Sequence, residues 1–281
     1  MNGDQETIRK ASTVVLARDT SEGPEVFMLE RNIKSEFVSG AYVFPGGAVD
    51  KHDTHQTLEQ ICTGYSDEHA SSLVNLEQGG LGFWVAAIRE CFEECGVLIA
   101  ESGTDLISFE NLRNEKRFTQ YRDDLNNRKI TFSEICRAEG LTLPVDRLTY
   151  FSRWLTPVGM PKRFDTCFFI CPMPLNQVPL HDGQETVNGI WVTPEDALEK
   201  GKAGSIKLVP ATIKTLETLS GFPSVSALIE GCTPTGKVPT ICAEILRDNS
   251  GKPVRVRIPF PDGPVELEMG EELTAMAGGP K

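Results

Sequence analysis

Residues 83–96 have the sequence FWVAAIRECFEECG, which is the most informative segment of this chain. The apolar residues recur at helical spacing, and Gly96 is of the type that commonly ends a helix. On a helical wheel, Glu90, Glu93 and Glu94 share an arc of about 100° opposite the apolar side chains. Carboxylates this close repel one another. The pattern therefore indicates either a solvated acidic face or a site for a hard divalent cation such as Mg²⁺.

The residues around this helix extend the pattern into a known motif. Pro45-Gly46-Gly47 follows a short apolar run, and residues 89–97 have the sequence RECFEECGV. Together they resemble the signature of the Nudix hydrolases, G-x5-E-x7-R-E-U-x-E-E-x-G-U, where U is a bulky apolar residue. The second half of the signature matches at every defined position when Cys91 is taken as apolar. The resemblance covers about residues 10–220.

The chain departs from this signature in two ways. Gly47 and Arg89 lie 42 positions apart, against 14 in the compact motif, so 28 residues are inserted. Asp53 occupies the position of the first glutamate if the insertion follows it, and whether it replaces that glutamate is left open. The position of the insertion, together with short sequence matches such as Arg153–Pro157, resembles one branch of the family. That branch includes the coenzyme A diphosphatases of animal peroxisomes and their bacterial relatives.

The resemblance implies an α+β fold, a Nudix-type α/β/α sandwich with a mixed sheet, helical insertions and a C-terminal extension. We expect a hydrolase domain at 8–220, with insertions near 53–80 and 104–140. Residues 221–281 would form the extension, in which the alternating runs on either side of Pro261-Asp262-Gly263 predict a terminal hairpin.

Local patterns predict individual elements of this fold. Ala11–Arg18 and Glu25–Arg31 are apolar and β-branched runs separated by turn residues, which indicates a hairpin. Val97–Ala100 is short and apolar, which predicts a buried strand. Thr131 and Glu134 have the spacing of a helix capping box.

The resemblance also implies a reaction, in which water attacks one phosphorus of a nucleoside diphosphate linked to another moiety. The expected cofactor is Mg²⁺, with Mn²⁺ as a substitute. A helix glutamate or a carboxylate on a later loop would activate the water, and Glu185 in the 181–186 loop is the loop candidate. The expected catalytic residues are Glu90, Glu94, Arg89 and Glu185, the metal ligands are Glu90, Glu93, Glu94 and the Gly46 carbonyl, and the substrate-binding residues are Arg31, Gly47 and Arg163.

Composition restricts the partners and the location. The net charge of −12 and a pI near 4.9 disfavour nucleic acid and anionic membranes as partners. No apolar run is long enough to cross a membrane, and the start lacks the features of a signal peptide. The eight cysteines include no CxxC pair, which is typical of free thiols in a reducing compartment. We therefore expect a cytoplasmic protein that acts on a small nucleotide conjugate, and a homodimer is left open.

Three functional hypotheses follow. The first is an Mg²⁺-dependent hydrolase that cleaves the diphosphate of coenzyme A, acyl-coenzyme A or a related compound. The second is the same chemistry on ADP-ribose or on a dinucleotide such as NADH. The third is a catalytically silent Nudix module that senses a nucleotide. A silent module is expected to lose acidic helix residues, and this chain keeps Glu90, Glu93 and Glu94.

Overall fold

The computed structural model describes residues 8–34, 38–260, 263–269 and 271–277. The helices in these ranges are α1 Gln56–Glu59, α2 Asp67–Leu73, α3 Leu81–Cys95, α4 Leu112–Asn126, α5 Phe132–Glu139, α6 Pro194–Lys202, α7 Pro210–Leu219, α8 Val225–Cys232 and α9 Glu271–Ala277. The strands are β1 Arg9–Thr20, β2 Gly23–Arg31, β3 Tyr42–Val43, β4 Gly46–Ala48, β5 Cys62–Thr63, β6 Glu101–Ser102, β7 Asp105–Leu106, β8 Leu143–Pro144, β9 Thr149–Leu155, β10 Phe164–Pro172, β11 Thr186–Val192, β12 Thr240–Cys242, β13 Glu244–Arg247, β14 Pro253–Ile258 and β15 Val265–Glu268. None of the described helices is long and apolar enough to cross a membrane.

A mixed sheet forms the centre of the fold. Its strand order is β11-β2-β1-β10-β9-β12, with β3 added to β2 and β4 added to β1. The pairs β1–β10 and β9–β12 are parallel, whereas β1–β2, β9–β10 and β2–β11 are antiparallel. The predicted hairpin of β1 and β2 is therefore confirmed.

Alternating side chains give the sheet two buried faces. Val14 and Leu16 of β1 pack in one core cluster with Trp84 and Ile88 of α3. Val15, between them in the chain, belongs to a second cluster that includes residues of α6, α7 and α8. Helices thus cover both faces of the sheet, and the predicted α/β/α sandwich is confirmed.

The segment Val97–Ala100 is buried as predicted, but it is not a strand. The side chain of Gln177 takes the place of a neighbouring strand. Its Oε1 accepts from the Leu98 N–H at 2.8 Å, and its Nε2 donates to the Leu98 carbonyl at 2.9 Å. Because one buried side chain satisfies both backbone groups, the segment needs no strand partner there.

The C-terminal part of the chain contributes to two sheets. β12 lies in parallel beside β9 at the edge of the central sheet. β13, β14 and β15 form a separate antiparallel sheet. In the predicted turn of the terminal hairpin, Pro261 and Asp262 lie outside the described residues. The division into domains at residue 220 stays a prediction.

Candidate active site

The acidic helix α3 is a central helix and not a surface helix. Every residue of α3 is buried except Glu90 and Glu93, which are partly buried. Asp67 of α2 accepts from the N–H groups of Gly79 and Leu81 at the helix start, where a negative charge is favourable. The predicted C-cap is confirmed, since Gly96 has φ 71° and its N–H donates to the Phe92 carbonyl. A solvated acidic face is therefore the wrong description of this helix.

Arg89 binds carboxylates that lie on both sides of the first insertion in the sequence. Its Nε and Nη2 donate to Oδ1 and Oδ2 of Asp53, both at 2.8 Å. Its Nη1 donates to Glu90 Oε1 at 2.9 Å and to Glu93 Oε2 at 2.7 Å, and Nη2 also donates to the Ala48 carbonyl. One guanidinium thus fixes the orientation of two helix glutamates. Asp53 provides the partner carboxylate for Arg89 from the position that the motif gives to its first glutamate.

Glu94 is held by strand β4, which precedes the first insertion. Its Oε2 accepts from the Gly46 N–H at 2.8 Å. The Pro45 carbonyl points toward β1, where it accepts from the Val14 N–H. Successive residues of a strand direct their N–H and C=O groups to opposite sides, so both backbone groups of Gly46 point away from β1. The Gly46 carbonyl therefore lies on the same side of the strand as the N–H that contacts Glu94.

Close packing accounts for the two glycines of β4. A Cβ on Gly47 would stand 2.5 Å from both Cδ and Oε1 of Glu90. A Cβ on Gly46 would overlap the Ser12 carbonyl oxygen and stand 2.7 Å from the Thr13 Cα. A side chain at either position would thus push β4 away from its neighbours or displace a glutamate from the site.

Burial and mutual repulsion change the acidity of the helix glutamates. Burial raises the pKa of Glu90 to about 7, with the charge of Glu93 adding to the rise and that of Arg89 opposing it. Burial and the charge of Glu90 raise the pKa of Glu94 well above its usual range. The pKa of Glu93 is also raised, mainly by burial. Burial lowers the pKa of Arg89, but the hydrogen bonds and charges of Asp53 and the glutamates give a net rise, so Arg89 stays charged.

These side chains lie in a cleft of about 710 Å³. Glycines of β4 and the first insertion form one wall, and the turn between α4 and α5 forms another. The loop that contains Glu185 completes the cleft. The lining residues include Gly46, Gly47, Asp50, His52, Asp53, Arg89, Glu90, Glu93, Glu94, Asn126, Arg128, Thr131, Ser133, Asp182, Gln184 and Glu185.

The donor set of the cleft fits a hard divalent cation. Glu90, Glu93 and Glu94 each use one oxygen in the contacts above, and each leaves the other without a hydrogen bond to any described residue. A cation bound by these oxygens would relieve the repulsion that adds to the effect of burial on the pKa values. Within the described ranges, however, no three Asp, Glu, His or Cys side chains already converge as a formed metal site. Metal binding would thus require the carboxylates to move closer together.

Residues 62–219, more than half of the chain, match the family model of the NUDT19 Nudix domain. The chain belongs to this Nudix family. It is 26% identical to acyl-coenzyme A diphosphatase NUDT19 of Xenopus laevis over 83% of this chain and 76% of the relative. It is also 26% identical to the Homo sapiens protein of that name over 80% of this chain and 72% of the relative.

A solved structure agrees with the assignment to the Nudix hydrolases. The crystal structure of a NUDIX hydrolase from Alicyclobacillus acidocaldarius matches with a TM-score of 0.65 and 25% identity. The match covers 84% of this chain and 99% of the other. The chain is therefore a Nudix hydrolase, and its acidic helix packs on one face of the central sheet of that fold.

The structure brings most of the predicted site residues of this Nudix hydrolase together. Glu185 lines the cleft with the helix glutamates, and its charge contributes to the raised pKa values of Glu93 and Glu94. Arg31 and Arg163 do not line the cleft. The charge of Arg31 still acts on Glu94, whereas the Arg163 Nε donates to the Thr156 carbonyl. Phosphate binding by these two arginines stays a prediction.

Two features of the cleft were not predicted from the sequence. Asp182 accepts from the N–H groups of Gln184, Glu185 and Thr186, and thereby shapes the loop that presents Glu185. The second insertion forms a wall of the cleft, including Arg128, although its polar sequence indicated only helices. Asp-x-x-Glu at residues 182–185 was a local signal for such a turn, whereas no local signal indicated where the insertion would pack.

Proposed function

We propose that this Nudix hydrolase cleaves the diphosphate of coenzyme A or of an acyl-coenzyme A in the presence of Mg²⁺, with Mn²⁺ as a substitute. The observation that carries the proposal is the set of unused carboxylate oxygens of Glu90, Glu93 and Glu94 in the cleft. With the carbonyl of Gly46, they would be the ligands of the cation. The name shared by the Xenopus laevis and Homo sapiens relatives supports the choice of substrate.

The residues of the chain would divide the chemical work. A bound divalent cation would neutralise phosphate charge and polarise a phosphoryl oxygen. Arg89 keeps Glu90 and Glu93 in fixed orientations, so little reorganisation would be needed when substrate binds. Glu185 is our candidate for the base that takes a proton from the attacking water, because it lines the same cleft on a loop ordered by Asp182.

A substrate panel with product identification tests this proposal. Coenzyme A, an acyl-coenzyme A, ADP-ribose, NADH and a diadenosine polyphosphate would be incubated with Mg²⁺, with Mn²⁺ or with a chelator. We expect coenzyme A species to be the best substrates and to yield adenosine 3′,5′-bisphosphate and a 4′-phosphopantetheine. A kcat/KM tens of times higher for ADP-ribose or NADH would refute the substrate assignment. Turnover that is unchanged by a chelator would refute the metal assignment.

We further propose that the enzyme acts in the cytoplasm. Its eight cysteines are free thiols, as expected in a reducing compartment. For assembly, we propose a homodimer, supported by the exposed apolar side chains of Leu175, Val178 and Leu180 on one loop. Fluorescence localisation of the tagged chain and light scattering after gel filtration test these two points.

A further inference from the structure

The cleft contains many more acidic than basic side chains. Its lining includes the carboxylates of Asp50, Asp53, Glu90, Glu93, Glu94, Asp182 and Glu185. The positively charged side chains in that lining are those of Arg89 and Arg128, with His52 as a third basic group. A phosphorylated substrate needs cations in such a place, and the net charge of −12 provides none at long range.

Arg89 cannot supply that charge to a substrate. All three of its guanidinium nitrogens already donate to the protein, to Asp53, Glu90, Glu93 and the Ala48 carbonyl. Arg128 is different, because its guanidinium makes no hydrogen bond or ion pair with any residue in the described part of the chain. It is exposed, and it lies on the wall formed by the second insertion. Arg128 is thus the arginine of the cleft that can bind an anion.

The backbone holds Arg128 in a defined place. It lies in the turn between α4 and α5 with φ 57°, a left-handed backbone conformation that is uncommon for residues other than glycine. Its N–H donates to the Leu125 carbonyl at 2.8 Å, and the Lys129 N–H donates to the Asp124 carbonyl at 2.8 Å. The turn is therefore ordered by its own hydrogen bonds.

Packing joins this turn to the acidic helix. Leu125 before the turn and Phe132 after it are both buried. Asn126 Nδ2 donates to the carbonyl of Glu93 at 3.3 Å. Arg128 is consequently fixed relative to α3, while its side chain forms no ion pair with the glutamates of that helix.

We infer that Arg128 is a specificity-determining residue that binds a phosphate group of the substrate outside the diphosphate that is cleaved. The inference rests on the proposed function, under which the diphosphate lies at the helix glutamates and their cation. A guanidinium that makes no ion pair with those glutamates is then suited to a second anionic group, which it can bind through two parallel hydrogen bonds. In coenzyme A, that group is the 3′-phosphate of the ribose.

Two substrates that differ only in this phosphate test the inference. Arg128→Gln removes the charge and retains a long polar side chain at the exposed turn. We expect it to raise KM for coenzyme A about tenfold, and to leave KM for 3′-dephospho-coenzyme A within about twofold of the wild type. Arg128→Lys keeps the charge but loses the paired donors, so its KM for coenzyme A should lie between those of the wild type and Arg128→Gln. Arg113→Ala, at an exposed position of α4 outside the cleft, is the matched control and should change neither.

The outcomes separate this inference from the proposed function. Equal losses on both substrates, or no loss on either, would overturn the role of Arg128. If the wild type hydrolyses no coenzyme A compound, the proposed function fails. The role of Arg128 is then tested by measuring the binding of two nucleotides. Calorimetry would compare adenosine 3′,5′-bisphosphate with AMP. A preference of the wild type for the bisphosphate that Arg128→Gln abolishes supports the inference, and the absence of such a preference refutes it.

Discussion

Arg89 and Asp53 form a two-pronged ion pair that joins the acidic helix to the start of the first insertion, with both N–O distances at 2.8 Å. The Asp53 side chain is only 1% exposed and that of Arg89 is 11% exposed. The pair therefore brings the two halves of the motif into contact, although 28 inserted residues separate them in the sequence.

Removing one member of this buried pair should destabilise the fold. Asp53→Ala leaves the buried Arg89 with less compensation, and we expect a loss on the order of 3 kcal/mol in the free energy of unfolding. Urea denaturation measures it. Glu25→Ala is the matched control, since Arg18 also makes two bonds to Glu25 but is far more exposed. The control should lose less than about 1 kcal/mol, and equal losses would contradict the structural role of Asp53.

Neutralising a helix glutamate should stop turnover without unfolding the protein. Glu93→Gln and Glu94→Gln keep the side-chain shape and remove an anionic oxygen, so we expect kcat to fall at least about 100-fold. Kinetics and thermal melting would be measured on the same samples. Glu115→Gln, on the exposed side of α4, should behave as the wild type. Near-normal turnover of both site variants would rule out the metal assignment.

The raised pKa values of the glutamates predict how pH changes stability. A carboxyl whose pKa is higher in the folded than in the unfolded state stabilises the fold at low pH, and this contribution is lost as pH rises through the folded value. That value is about 7 for Glu90. Without metal, the Tm should therefore fall between pH 5 and pH 8.

Added Mg²⁺ should reverse that loss of stability. Metal and protons compete for the same oxygens, so the rise in Tm caused by Mg²⁺ should be larger at pH 8 than at pH 5.5. Thermal melts with Mg²⁺ and with a chelator measure the difference. Glu94→Gln should reduce both the fall with pH and the effect of Mg²⁺, which separates the site from the general repulsion of an acidic protein. An effect of Mg²⁺ that is the same at both pH values would argue against metal binding by these glutamates.

Gly47→Ala should disturb catalysis through Glu90. The added methyl group would overlap the Glu90 carboxylate, so either that side chain or β4 must move. We expect kcat to fall about tenfold or more and the concentration of Mg²⁺ needed for half-maximal rate to rise. Gly236→Ala is the control, because a Cβ there meets no atom within 4 Å. A variant of Gly47 with wild-type kinetics would show that the close approach to Glu90 is not required.

The Asp182 turn should matter because it presents Glu185. Asp182→Ala removes the acceptor for the N–H groups of Gln184, Glu185 and Thr186. We expect kcat to fall with little change in KM, and Glu185→Gln to lower kcat further and flatten the acidic limb of the pH–rate profile. Asp248→Ala, which disrupts a similar turn far along the chain, is the control. An unchanged pH–rate profile in Glu185→Gln would assign the base elsewhere.

Features set by neighbours in the chain could be predicted from the sequence. The acidic helix with its Gly96 cap and the capping box of Thr131 and Glu134 depend on spacings of a few residues, and both are present in the structure. Features set by distant contacts could not. Gln177 replaces a strand beside Leu98 from 79 positions away, and Asn126 reaches Glu93 across 33 positions. Residue spacing within a segment does not predict contacts with distant segments. The cleft wall with Arg128 was therefore seen only in the structure.

The contact of the second insertion with α3 limits how far this enzyme can be shortened. Arg122 and Asn126 donate to the Glu93 carbonyl near the end of the acidic helix. Phe118 and Ile135 of the same insertion belong to the core cluster that contains α3. Excising residues 104–140 to obtain a minimal catalytic unit would thus expose core side chains and leave a backbone acceptor uncapped. Such a truncated protein should be recovered as aggregates, because the insertion is part of the folding unit.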